Sequence, residues 1–312
     1  MTSEIYDTLI VGGGPAGLSA AIHLAWHDRK VAVLDRKTGP LFFTLEELQN
    51  VPGMPAVRGT ELQKRLKEQA ENLGAEVVKA NIVTAEGEEG RFILQSDTGE
   101  EWLGKTVLLA TGVSRYHPTV DGDFTPCLAY AGKGNMFYCP DCEAPEIKNK
   151  DTIVIGAGPA DWAGGMAIGL SRYTPKLRVL LTEDAHMSSE RSQQLASKRI
   201  PVIQGKIKKL LGKKGLLSAL VLEDDQSLSA EAFFVSSPVR GRTDLSQQLG
   251  VEMAVTGNHA QPKSQRGDTN VPGVWIAGDL RPMTQQVSVA MGTGNIAAVM
   301  IDQHLRKKQV LS

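Results

Sequence analysis

Two of the chain's three cysteines, Cys139 and Cys142, stand in Phe137-Tyr138-Cys139-Pro140-Asp141-Cys142-Glu143. A Cys-x-x-Cys spacing places two thiols close enough to close a small disulfide ring, and nearby helix N-terminal N–H groups or cations make the first thiol acidic. Only the thiolate attacks a disulfide, so the stretch reads as a redox-active dithiol. Half of a zinc site is the competing reading, but it needs a second Cys or His pair. Cys127 stands alone, with His117 and His186 poorly spaced, and no metal is expected.

A dithiol between two nucleotide motifs implies electron transfer, and the chain carries such motifs on both sides. Thr8 to Val11 reads as a short buried strand, followed by Gly12-Gly13-Gly14-Pro15-Ala16-Gly17 and an Ala-rich helix from Leu18 to about His27. Gly12 permits the tight turn, Gly14 lets the backbone approach a pyrophosphate, and Gly17 lets helix pack on strand. The helix N-terminus adds N–H groups and a positive dipole end. The next strand, Lys30 to Leu34, ends at Asp35, 18 residues beyond Gly17, where a carboxylate can accept hydrogen bonds from an adenosine ribose. The pattern recurs 144 residues later: strand Thr152 to Ile155, Gly156-Ala157-Gly158-Pro159-Ala160-Asp161, a helix to about Ser171 and strand Leu177 to Leu181. The expected fold class is therefore α/β, with two Rossmann-like three-layer nucleotide-binding domains.

The remaining pattern supplies the connecting elements. Gly59 to Leu73 has helical spacing, Ala75 to Val83 reads as a strand, and Arg91 to Ser96 with Glu101 to Leu103 reads as a small antiparallel meander. Lys105 to Ala110 is a buried strand ending in Thr111-Gly112. After a polar segment come strands near Val202, at Leu217 to Leu222 and at Ala232 to Val235, then Val274-Trp275-Ile276-Ala277-Gly278-Asp279, then a helix from Gln286 to about Leu305. Across 312 residues, 34 Lys and Arg balance 35 Asp and Glu, which gives no electrostatic case for a nucleic-acid or membrane partner. The first residues lack the basic and apolar regions of a signal peptide, and three cysteines are too few for a secreted disulfide scaffold. A soluble cytoplasmic protein is expected.

With both fingerprints, the Cys-x-x-Cys and Ala277-Gly278-Asp279 in this order, the sequence resembles the low-molecular-weight thioredoxin reductases along nearly its whole length. The resemblance implies a discontinuous FAD-binding domain of residues 1–116 and 246–312, with residues 117–245 inserted and carrying the dithiol. It implies that FAD is held by the first fingerprint and Asp35, by Ala110-Thr111-Gly112, by Asn50 in Asn50-Val51-Pro52-Gly53, by Gly278 and Asp279, and by Gln286-Val287. It also assigns Cys142 as the thiol meeting the flavin and Cys139 as the one attacking a thioredoxin-like protein or small disulfide, in a homodimer. Glu143 stands where the family has Asp; it could shuttle protons with a pKa raised by burial, or sit exposed near a helix N-terminus.

The departures lie where the family binds NADPH. Its His-Arg-Arg is replaced by Thr182-Glu183-Asp184, and two carboxylates would repel a 2′-phosphate. Glu183, 22 residues after Asp161, could bond a free ribose instead, and Gly156, Gly158, Pro159 and Ala160 spell a more FAD-like turn. Asp161, however, adds negative charge where a pyrophosphate would sit. The chain is thus closer in resemblance to the diflavin-linked disulfide oxidoreductases, with a second FAD, and next to the ferredoxin-dependent reductases. NADPH is disfavoured; an empty second site, ferredoxin or NADH as donor, a dithiol oxidase using oxygen and a non-catalytic flavin sensor remain alternatives. Phe42 and Phe43 replace part of a Gly-Gly-Gln segment and are expected to pack inside.

Overall fold

The computed structural model describes residues 5–182 and 185–311. It divides into two compact units: Met1–Phe42, Val51–Ser114 and Arg240–Ser312 form the first, and Phe43–Asn50 with Arg115–Val239 form the second. Each is a mixed α/β structure around a parallel sheet.

In the first unit the strand Ile5–Val11 lies between parallel strands Val31–Asp35 and Glu101–Leu109, and Glu76–Lys79 extends the sheet beyond Val31–Asp35. Val31–Asp35 is buried at every position, as a parallel strand covered on both faces requires. The segment expected as two strands at Glu101 to Leu103 and Lys105 to Ala110 is one strand, Glu101–Leu109. Gly104 hides that continuity in the sequence: a Cβ there would meet Leu9 Cγ at 2.6 Å, so the strand continues beneath Leu9. Its early residues pair antiparallel with Arg91–Ser96, and Val107 to Leu109 pair parallel with Val274–Ile276. Conversely, the single strand expected from Ala75 to Val83 is two, Glu76–Lys79 and Ile82–Glu88. The chain turns at Ala80-Asn81, where the Ala80 N–H goes to the Asp35 carbonyl and the Asn81 carbonyl accepts from Asp97 N–H. The final helix runs Val287–Leu311, beyond the expected Leu305.

The second unit contains a five-stranded parallel sheet in the order Met136–Phe137, Ala232–Ser236, Thr152–Gly156, Leu177–Leu181, Val202–Gln204. Strand alternation sends Val154 and Phe234 to one face, against Ala163 and Ala167 of the helix Ala160–Leu170. Ile153, Ile155, Phe233 and Val235 go to the other, against Leu220 and Leu222 of a three-stranded antiparallel sheet. Two elements of this unit are silent in the hydrophobic pattern. The strand Ile207–Lys213 is lysine-rich and half solvated, and it is defined by its hairpin, where Lys214 and Gly215 take φ values of 53° and 84°. The helix Ser189–Ser197 is polar but capped, with the Ser188 hydroxyl accepting the Arg191 N–H.

Candidate functional site

The first glycine turn is built by close contacts that exclude larger residues. Gly12 has φ 105°, and a Cβ there would stand 2.3 Å from the Ala110 carbonyl oxygen; one on Gly17 would stand 1.9 Å from the Gly12 carbonyl. Gly14 caps the helix Pro15–Trp26 and has nothing within 4 Å of its missing Cβ, which leaves room for a phosphate against the backbone. Asp35 is buried at the neighbouring strand end, its carboxyl 2.8 Å from where a Gly13 Cβ would be. The turn is steadied by Gln63, a buried residue on the core face of the helix Gly59–Asn72, whose Nε2 donates to the Gly13 carbonyl. Sequence reasoning missed Gln63; its signal is a lone amide beside Leu62 on an apolar stripe.

These parts surround a cavity of about 330 Å³ lined by Gly12, Gly14, Pro15, Ala16, Asp35, Ala110, Thr111, Gly112, Gly278 and Asp279. Gly278 takes φ 67°, its N–H donates to Thr293 Oγ1 at 3.0 Å, and a Cβ there would meet Ala16. Gly294 of the last helix comes so close to the first helix that a Cβ would lie 2.0 Å from the Ala16 carbonyl. Arg242, also absent from the expected set, lines the same cavity; its Nη1 donates to Thr38 Oγ1 at 3.2 Å and its Nε to Ser114 Oγ at 3.0 Å. Burial and then the neighbouring Arg36 push its pKa below the ordinary guanidinium value, with Asp35 opposing. Gly17, Gln286 and Val287 belong to this unit but do not line the cavity, and Asn50 belongs to the second unit. The open Gly14 face, the buried carboxylate and the cationic rim suit a dinucleotide such as FAD.

The second fingerprint has the same spelling and a different environment. Gly156 packs against Leu181 and Ala163, but a Cβ on Gly158 would stand 2.7 Å from Cδ of Pro238, so that ring fills the space left open at Gly14. The helix begins at Ala160 behind an N-cap of Pro159, one position later in the motif than in the first unit. Asp161 accepts the Ser188 N–H at 2.8 Å, and that bond holds its carboxyl below the usual range. A separate cavity of about 500 Å³ involves Ala157 and Thr182 but not Gly158, Pro159 or Ala160. Glu183 and Asp184 lie outside the described residues.

Cys139 and Cys142 form a disulfide of 2.11 Å. The strand Met136–Phe137 is buried, with the Phe137 ring 5.2 Å from that of Phe234, and it delivers Cys139 as N-cap of the short helical turn Pro140–Glu143. Glu143 Oε2 accepts both the Tyr138 and the Cys139 N–H at 2.9 Å, so this carboxylate ties the turn together and is half-buried rather than exposed. Burial raises its pKa, while the Cys139 and Tyr138 N–H groups and then Arg115 pull the other way. The Tyr138 hydroxyl lies 2.6 Å from His117 Nδ1. Cys127 is fully buried, with Sγ 3.1 Å from the Pro118 carbonyl, and burial pushes its thiol up to about 12. Phe43, expected inside, is exposed because it starts the surface segment Phe43–Asn50; Leu41 is the residue of that stretch that is buried. Among the described residues no cluster of His, Cys, Asp and Glu is arranged to hold a metal, and no helix is long and apolar enough to cross a membrane.

Residues 6–294 match the family model of the pyridine nucleotide-disulphide oxidoreductases. The chain belongs to this family. It is an enzyme, a thioredoxin reductase-like flavin disulfide oxidoreductase. It is 28% identical to a thioredoxin reductase of Peptoclostridium litorale, covering 97% of this chain and 98% of that one. It is 27% identical to a component of the alkyl hydroperoxide reductase of Xanthomonas campestris pv. phaseoli, over 97% of this chain but only 57% of that longer one. The fold of this family member matches that of a putative thioredoxin reductase from Bacillus anthracis, with a TM-score of 0.87 at 22% identity over 97% of this chain and 99% of that one.

Proposed function

We propose that this enzyme holds FAD in the first unit, exchanges electrons with the Cys139–Cys142 disulfide, and passes them to the disulfide of a thioredoxin-like protein or a small molecule, with a reductant other than NADPH. The observation that carries the reading is the preformed disulfide at a turn tied by Glu143, in a chain whose first fingerprint is open at Gly14. Bound FAD would supply a two-electron store. For its binding, Gly12 and Gly17 allow the close turn, Gly14 presents bare backbone to the pyrophosphate, and Asp35 stands where the ribose hydroxyls would be. Asp279 would accept a hydrogen bond from a polyol hydroxyl, and Arg242 would contribute a cation at the rim. In the second unit Cys139 is the attacking sulfur, Cys142 its exchange partner, and Glu143 the group that takes up and returns a proton. A thioredoxin-like partner is supported by the relatives named thioredoxin reductase.

The exclusion of NADPH rests on Glu183 and Asp184 in place of cationic residues and on the Pro238 ring over Gly158. Losing two charge-assisted hydrogen bonds weakens 2′-phosphate recognition by about two orders of magnitude or more. The filled space at Gly158 also favours one FAD per chain over two. Anaerobic stopped-flow reduction with NADPH, NADH and reduced ferredoxin, alongside a count of released FAD, tests this reading. The expected result is one FAD per chain and slow flavin bleaching by NADPH. Fast bleaching at micromolar NADPH refutes the donor assignment, and protein that takes up no flavin refutes the whole.

A further inference from the structure

The side chain of Arg242 joins two stretches of the wall of the first-unit cavity. Its main chain is fixed to one of them: the Arg242 N–H donates to the Gly112 carbonyl at 3.0 Å, and its carbonyl accepts the Thr111 hydroxyl at 2.8 Å. On the same stretch its Nε donates to Ser114 Oγ at 3.0 Å. The far end of the guanidinium reaches the other stretch, where Nη1 donates to Thr38 Oγ1 at 3.2 Å and Nη2 to the Thr38 carbonyl at 3.5 Å. Thr38 belongs to residues 36–40, of which Arg36, Thr38, Gly39 and Pro40 line the cavity. Within that segment Lys37 takes φ 59°, a left-handed conformation that is costly for a residue with a Cβ, so bonds to the rest of the unit are needed to hold the shape. The bridge that supplies them is also easy to open. Arg36 Nε donates to the same Thr38 Oγ1 at 2.6 Å, so two guanidinium groups converge on one hydroxyl and repel each other. Thr38 and Ser114 are exposed, and water can replace each bond as it breaks.

We propose that Arg242 is a latch on this cavity: its bonds to Thr38 and Ser114 hold residues 36–40 against the rest of the wall, and FAD enters or leaves only while those bonds are broken. The inference rests on the reading of the cavity as the FAD site. A latch and a simple rim cation have different kinetic consequences. A cation that only attracts the dinucleotide slows its release and speeds its capture. A latch slows both, and changes the rates more than it changes the affinity. The latch also needs the planar fork of a guanidinium, which donates to two hydroxyls at once, whereas a lysine ammonium at this position keeps the charge without that geometry.

The test follows flavin fluorescence of the whole protein, first for release of FAD on dilution and then for its recapture by the same chain. Ser114 is not part of the cavity wall, so Ser114→Ala reaches the site through Arg242; being exposed, it also carries the test if Arg242→Ala folds poorly. Arg242→Ala should speed both release and recapture about tenfold, and Ser114→Ala about threefold, with the dissociation constant moving less than either rate. Arg242→Lys should behave as Arg242→Ala does, and adding Ser114→Ala to Arg242→Ala should bring no further gain. Wild-type rates in both Ser114→Ala and Arg242→Lys, or faster release with slower recapture in Arg242→Ala, overturn the latch and leave Arg242 as a rim cation. Wild-type protein that takes up no FAD overturns the cofactor reading itself, and the latch with it.

Discussion

The two glycine turns differ less in their letters than in what their neighbours do. In the first unit the strand Glu101–Leu109 ends in Ala110-Thr111-Gly112, and the space above Gly14 is empty. In the second, the topologically equivalent strand Ala232–Ser236 ends in Ser237-Pro238, and the proline ring occupies the corresponding space at Gly158. The third glycine differs for a related reason. Gly17 lies so close to the Gly12 carbonyl that no side chain fits, whereas the later helix start in the second unit lets Asp161 turn outward to Ser188. A fingerprint therefore specifies strand, turn and helix, and the loop beside it decides whether a phosphate can approach.

The largest effect expected from this contrast is on paired glycine substitutions. Gly17→Ala drives a methyl into the Gly12 carbonyl and should purify without flavin, destabilised by about 3 kcal/mol or more. Gly158→Ala needs only a shift of Pro238 and should keep its FAD; absorbance after gel filtration compares the two, and equal flavin loss would break the distinction. Next in size, Asp35→Ala should weaken FAD retention by about one to two orders of magnitude, through loss of charge-assisted ribose hydrogen bonds, as read by flavin release on dilution. Opening the second turn should be milder. Pro238→Gly should raise NADH affinity roughly threefold to tenfold, of the order of 1 kcal/mol, and calorimetry showing no gain would mean that Pro238 is not what closes the site.

The smallest effect is on acid stability. Burial, and then Arg115, lower the pKa of His117 in the folded second unit, so below the ordinary histidine value the unfolded chain binds more protons there than the folded one. Stability is then retained above that value and lost as pH falls through and below it. His117→Gln should flatten part of the decline in melting temperature between neutral and acidic buffer. Burial also lowers His23 and His259 in the first unit, which sets the residual slope.

What could be read from the sequence follows how local each signal is. The strand, turn and helix at Thr8 to Trp26 depend on contacts within the motif and were visible, as was a Cys-x-x-Cys able to close on itself. Gly104 broke a period that its strand nevertheless maintains, because Leu9, distant in sequence, covers it. Lys208, Lys209 and Lys213 concealed a strand whose partner Leu216–Leu222 carries most of the apolar side chains. Gln63 at Gly13 and Pro238 at Gly158 are long-range pairings, and nothing in the sequence around Gln63 or Pro238 names the glycine that each meets. Glu183 and Asp184 carry their argument in sequence alone.

The double pairing of Glu101–Leu109 has a consequence for how the protein is made. Val107, Leu108 and Leu109 are wholly buried, yet the strand that lies parallel to them, Val274–Ile276, emerges from the ribosome about 165 residues later. At typical elongation rates that interval is roughly ten to thirty seconds. Throughout it the nascent first unit carries an apolar strand with an open edge, the kind of surface on which chains stick to one another. The sheet closes only when the C-terminal part of the chain arrives. A nonsense mutation or stalled ribosome anywhere before Val274 should thus leave a chaperone client or an aggregate rather than a smaller, working flavin unit.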